Sequence, residues 1–130
     1  MELQVLTPEK KALEEDVASV YLQGSQGRLG ILPQHTSFLS KLDFGVLEYE
    51  KDGSKKQLLC GSGLIEVMEN KVIVLVRSAE TPDDVDVERA KDALQRAKSR
   101  LGSKDKDVDL DRAHEAQLRA VQRLKFLGKL

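Results

Sequence analysis

Over the first two thirds of the chain, apolar and polar residues alternate in short runs. Leu3 and Val5 alternate with polar neighbours, Val20 and Leu22 do the same, and Val46, Leu47 and Tyr49 lead into the turn Lys51-Asp52-Gly53-Ser54. Residues 57–60, 64–68 and 72–76 continue the series, separated by Gly61-Ser62-Gly63 and by Glu69-Asn70, a hairpin-type turn. Six or more short strands at this spacing predict a sandwich or a barrel closed on itself. Residues 72–76 are apolar without interruption, so this strand is expected to be central and buried on both faces.

The period then changes. Ala90, Ala93, Leu94, Ala97 and Leu101 fall within about 100° of one another at helical spacing, a narrow stripe of small residues ended by Gly102. A polar loop over 103–108 follows, with Asp107 or Asp109 placed to cap a second helix whose stripe is Leu110, Ala113, Ala120, Val121, Leu124 and Leu127. A loop this short makes an antiparallel hairpin. Alanine permits close approach but buries little area, so the hairpin should be marginally stable and able to open.

Composition sharpens the division. Residues 1–82 hold seven of the nine glycines, all three prolines and 14 of the Val, Ile and Thr residues, whereas residues 83–130 hold four Val, Ile and Thr, six Ala and 22 charged residues. We therefore expect an α+β chain of two domains, 1–82 and 83–130. A length of 130 residues excludes a large multidomain enzyme. With 21 Lys+Arg against 22 Asp+Glu, the net charge of -1 gives no general basis for binding nucleic acid. The lone Cys60 cannot form an internal disulfide, and with His35 and His114 far apart in sequence no metal site is expected. No apolar run approaches the length of a membrane span, and residues 1–4 open a strand rather than a signal peptide, so a soluble protein of a reducing compartment is expected.

The arginines are the most informative chemistry. Relative to the apolar stripes, Arg89, Arg96 and Arg100 lie about 100° to one side of the first helix, and Arg112, Arg119 and Arg123 about 110° to the same side of the second. In an antiparallel hairpin both rows fall on one side, with Arg89 across from Arg119 and Arg123. Such like charges call for an anion, and a triphosphate fits; a solvated basic face balanced by Asp86, Glu88, Asp92 and Glu115 is the other reading. Gly24 to Gly30 superficially resembles a phosphate loop but lacks the Gly-Lys-Ser/Thr ending and leads to Ile31-Leu32-Pro33 rather than a helix, so it reads as a turn. Cys60 reads as a small buried hydrophobe and His114 as solvated, while Leu29, Ile31, Leu32, Phe38 and Leu39 are either core or an interface patch.

Three motifs in order resemble one family. Gly27-Arg28-Leu29-Gly30-Ile31-Leu32-Pro33-Gln34-His35, then Gly61-Ser62-Gly63-Leu64-Ile65-Glu66-Val67, then Val85-Asp86-Val87-Glu88-Arg89-Ala90 at the head of an Ala/Arg hairpin are similar to the epsilon subunit of bacterial and chloroplast F-type ATP synthases. Departures are Gln34 where Gly is common, Ser37 where Pro is common and Ser62 where a second Gly often sits.

The resemblance implies a ten-stranded antiparallel β-sandwich gripping the gamma subunit and the membrane c-ring, with contacts at Leu29, Ile31, Leu32 and His35, although His35 reads equally as a loop-ordering hydrogen-bond partner. It also implies a helical hairpin that extends along gamma and inhibits ATP hydrolysis, with Arg112, Arg119 and Arg123 meeting the alpha/beta catalytic head. A regulatory ATP would contact Val85, Asp86, Arg89 and Ala90, with Glu80, Arg96, Arg119 and Arg123 in support; Asp86 would accept from the adenine amino group or a neighbouring arginine. No cofactor is required, and the subunit is non-catalytic. Neither nucleic-acid binding nor membrane insertion is implied. The place is peripheral, on the cytoplasmic face of a plasma or thylakoid membrane. The alternative is a stand-alone nucleotide sensor whose hairpin closes on ATP; an enzyme has no supporting constellation of residues.

Overall fold

Period-two alternation buries one face of most strands, and the computed structural model, which describes residues 1–34, 36–103 and 107–128, shows ten of them. They are β1 (Glu2–Leu6), β2 (Lys11–Asp16), β3 (Ser19–Gly24), β4 (Gly27–Ile31), β5 (Phe38–Leu42), β6 (Gly45–Lys51), β7 (Ser54–Cys60), β8 (Gly63–Met68), β9 (Lys71–Val76) and β10 (Ala79–Glu80). Hydrogen bonding runs in the order β10-β7-β6-β3-β5-β8-β9-β1-β2, with β4 on β3. A single pair, Gly24 with Leu42, links β3 to β5, so the sheet folds over there into two layers. Leu3, Val5, Val20, Leu22, Ile31, Leu47, Ile65, Val67, Val72 and Val74 fill the space between, each at most 3% exposed. Lys51 on β6 donates to Glu15 on β2, an ion pair that ties the edge strand to the opposite layer. Tight turns suit the strand twist: Asp52-Gly53 (φ 51° and 78°) and Glu69-Asn70 (φ 51° and 59°) are left-handed at both central residues.

Three expectations about the sheet need correction. The sandwich is not wholly antiparallel, because β1 pairs with β9 in parallel, Leu3 opposite Val72 and Val5 opposite Val74. Most of the sandwich separates these two strands in sequence, so no tight turn forces them to run in opposite directions. Strand β9 is central but not buried on both faces: Val72, Val74 and Val76 point inward, while Leu75 is 46% exposed. The 24–30 segment is a turn only at Ser25-Gln26, and β4 begins at Gly27.

Pro82 opens the second compact unit, the first ending at Thr81. A 3₁₀ turn (Pro82–Asp84) precedes α1 (Val87–Leu101) and α2 (Leu110–Phe126). Asp86 caps α1, its Oδ1 accepting from the Arg89 backbone N–H at 3.1 Å, and Asp109 caps α2 in the same way through the Arg112 N–H at 3.0 Å. Basic residues end both helices, Lys98 and Arg100 in α1 and Arg123 and Lys125 in α2, where they complement the negative end of the macrodipole. Ala90, Leu94, Ala120 and Leu124 form a separate small core, flanked by Val87, Ala93 and Val121. Leu110, expected in the stripe of the second helix, is instead 52% exposed; as the first residue of α2 it lies at the end of the contact.

Candidate functional site

Packing of Ala90 and Leu94 with Ala120 and Leu124 sets the start of α1 beside the end of α2. Arg89 and Arg123, each next in sequence to one of these packed residues, therefore lie at the same end of the hairpin. Arg89, Arg96, Arg100, Arg112 and Arg119 are exposed, and none has an ion-pair partner among the described residues; Arg123 is half-buried. Of the carboxylates expected to balance them, Glu88 lies 4.0 Å from Lys91 and Asp86 is engaged as a cap. Ala90 is buried at 5% and Val85 at 8%, so neither offers an open surface; Ala90 packs within the hairpin. Glu80 lies on β10, half-buried opposite Leu59.

In the first unit, the Gly-x-LGILP segment divides between core and surface. Ile31 is 1% exposed in the core and Leu29 is half-buried against it, whereas Leu32 is 53% exposed; His35 lies outside the described residues. Gly30 has a steric reason: a Cβ there would lie 2.9 Å from the Tyr21 ring. Arg28 stacks over the same ring, 5.6 Å from its centroid.

A second surface, which the sequence pattern did not assemble, lies on the outer face of β5, β8, β9 and β1. Register places Lys41, Leu64, Leu75 and Leu6 in one cross-strand row, and Leu39, Glu66, Ile73 and Gln4 in the next. Leu39 is 68% exposed, and Leu64, Met68 and Leu75 are all more than 40% exposed, an apolar patch of a kind that soluble chains seldom leave uncovered. At one end it opens into a cleft of about 710 Å³ whose lining includes Leu64, Leu75, Leu6, Lys41, Arg77 and Asp43. At the other end lies a smaller hollow of about 180 Å³ between Glu66, Met68, Glu69, Lys71 and Ile73. The alternation that puts Val72 and Val74 inside puts Ile73 and Leu75 on this face, so the uninterrupted apolar run of 72–76 was the available signal.

Buried Cys60 is unsuited to chemistry, since desolvation pushes its thiol up to about 12. Among the described residues no group of three His, Cys, Asp or Glu side chains is placed to hold a metal ion.

Comparison with known proteins assigns both units. Residues 1–82 match the family described as ATP synthase, Delta/Epsilon chain, beta-sandwich domain, and residues 83–128 match its long alpha-helix domain. An ATP synthase epsilon chain from Pelotomaculum thermopropionicum is 43% identical over 127 residues, covering 98% of this chain and 95% of that one. One from Thermodesulfovibrio yellowstonii is 43% identical over 101 residues, 78% of this chain and 72% of that one. A chain of the Euglena gracilis mitochondrial ATP synthase, in a structure of OSCP, F1 and c-ring, shares the fold at a TM-score of 0.73 and 23% identity, over 98% of this chain and 76% of that one. The chain belongs to the ATP synthase delta/epsilon family, as an epsilon-type, non-catalytic subunit.

Proposed function

We propose that this chain is a central-stalk subunit of the rotor, coupling gamma to the c-ring through its sandwich and restraining ATP hydrolysis through its helices. The observation that carries the reading is that each separately cored unit presents one unsatisfied surface, the two of opposite chemistry. The sandwich exposes an apolar sheet face suited to a permanent protein contact. The hairpin exposes five arginines without carboxylate partners among the described residues, suited to an anion in one state and to acidic segments of the catalytic head in another. Arg112, Arg119 and Arg123 on α2 would meet the head. Among the described residues no helix is long and apolar enough to cross a membrane, and the place we propose is peripheral, on the cytoplasmic face of a plasma or thylakoid membrane.

ATP is the anion that fits best. Its phosphates would neutralise the arginine rows and hold the hairpin closed, with Arg89, Arg96, Arg119 and Arg123 around them. Asp86, whose Oδ1 already caps α1, retains a second carboxylate oxygen for an amino group of the base. A ligand that binds only the closed form stabilises it by about 2.7 kcal/mol at a hundredfold excess over Kd, enough to tip a marginal hairpin. Two experiments test this. In the assembled complex, deleting residues 83–130 should raise ATP hydrolysis without loss of assembly. In calorimetric titration of the isolated chain, Arg89→Ala should weaken ATP binding more than Lys98→Ala, which lies on the opposite face of α1. Unchanged hydrolysis together with no heat at millimolar ATP would leave only the structural role.

A further inference from the structure

The cleft at the end of the apolar sheet face has a chemistry of its own. Its walls are Leu6, Leu64 and Leu75, and two exposed cations stand at it, Lys41 on β5 and Arg77 just beyond β9. Neither has an ion-pair partner among the described residues. Asp43, also at the cleft, lies beyond 4.0 Å of both, since no ion pair joins them, so the excess charge at the cleft is positive. The floor is fixed by backbone. Gly63 permits β8 and β9 to approach so closely that a Cβ would fall 1.9 Å from the Leu75 carbonyl oxygen, and the Arg77 N–H donates to the Ser62 carbonyl at 3.2 Å. Leu64 and Leu75 belong both to the cleft and to the exposed face, so a partner covering the face also covers the cleft.

We infer that the cleft is the anchor pocket of the gamma interface: it receives an apolar side chain of gamma and, beside it, a carboxylate that pairs with Lys41 and Arg77. This rests on the proposed coupling of the sandwich to gamma, and takes the outer sheet face, with Leu39, Leu64, Met68 and Leu75 exposed, as the surface that makes it. An apolar anchor alone would leave two cations desolvated without a counter-charge, and a carboxylate alone would leave Leu64 and Leu75 against water. Arg77 can grip a carboxylate through two N–H groups, and Lys41 adds a point charge.

The test measures the affinity of the full chain for purified gamma, at two salt concentrations, for three variants. The double reversal Lys41→Glu/Arg77→Glu should weaken binding at least tenfold and flatten its salt dependence; both side chains are exposed, so thermal melting should not change. Leu39→Asp and Met68→Asp, on the same face but outside the cleft, test the docking reading alone and should each weaken binding as well. If Leu39→Asp and Met68→Asp weaken binding while the double reversal leaves affinity and salt slope intact, the face docks gamma and the anchor proposal is overturned. If none of the three changes affinity, the docking reading falls and the anchor with it. Loss on double reversal with an unchanged salt slope would mean that the groups act by shape rather than charge, which also overturns the carboxylate assignment.

Discussion

The hairpin core consists of few side chains, so one truncation should open it. Leu124 is 2% exposed and packs with Ala90, Leu94 and Ala120. Cutting such a buried leucine to alanine costs about 2–5 kcal/mol. Against this, the two buried leucines contribute about 1.5–3 kcal/mol each, and each alanine methyl roughly 0.8. Much of that sum is offset by the entropy of ordering helices of 15 and 17 residues, lengths at which isolated helices are marginal. The net stability of the closed hairpin is then a few kcal/mol, comparable with the loss. In Leu124→Ala, amide hydrogen exchange over 87–101 and 110–126 should accelerate by about 30-fold or more, since about 1.4 kcal/mol is a factor of ten. Exchange in the sheet should not change, because the two cores share no residues. Leu118→Ala is the control: at 52% exposure it should alter helix exchange little. Unchanged helix exchange in Leu124→Ala, or a parallel loss of protection in the sheet, would refute the picture of a weak, separately cored hairpin.

Gly63→Ala should destabilise the sandwich by about 3 kcal/mol or more, since the clash is with backbone at 1.9 Å, and thermal melting should drop by over about 10 °C. Gln34 sits at φ 63°, so Gln34→Gly should stabilise the chain by about 0.5–1 kcal/mol in urea titrations, with the backbone N–H still bonded to Asn70 Oδ1 at 3.0 Å. Burial of Cys60 predicts negligible alkylation of the native chain at pH 8 and rapid alkylation once the sheet unfolds in denaturant. At alkaline pH, the Lys51 ammonium is held protonated first by its hydrogen bond to Glu15, and the Tyr49 phenol first by burial. Both folded values are raised, so the native state binds more protons, and the stabilisation is complete below the ordinary values of 10.5 and 10.0 and lost as pH rises through the folded ones. Urea midpoints should therefore fall above about pH 10, less steeply in Lys51→Met.

Local rules were enough for much of this chain. The change of period near Pro82, the aspartate before α2, the glycine after α1 and the Asp-Gly turn are each dictated by neighbours a few residues away, so they could be read directly. Gln34 stood out as a departure from a family glycine before its positive φ gave the reason. The arginine rows were visible for the same cause, since helical geometry fixes angular positions without reference to the rest of the chain.

Pairing between distant strands obeys no such rule. Nothing in residues 1–6 or 71–76 indicates that β1 lies parallel to β9, because that choice minimises exposed backbone across the whole sheet rather than within either segment. It is this pairing, with those of β5 and β8, that brings Leu39, Leu64, Leu75 and Leu6 from four separated stretches onto one outer face and stands Lys41 and Arg77 at one cleft. For the same reason Ile31 and Leu32, adjacent and chemically alike, were indistinguishable in sequence. Ile31 ends β4 and Leu32 lies just past it, but only the packed second layer decides that the strand's last side chain enters the interior while its neighbour stays outside.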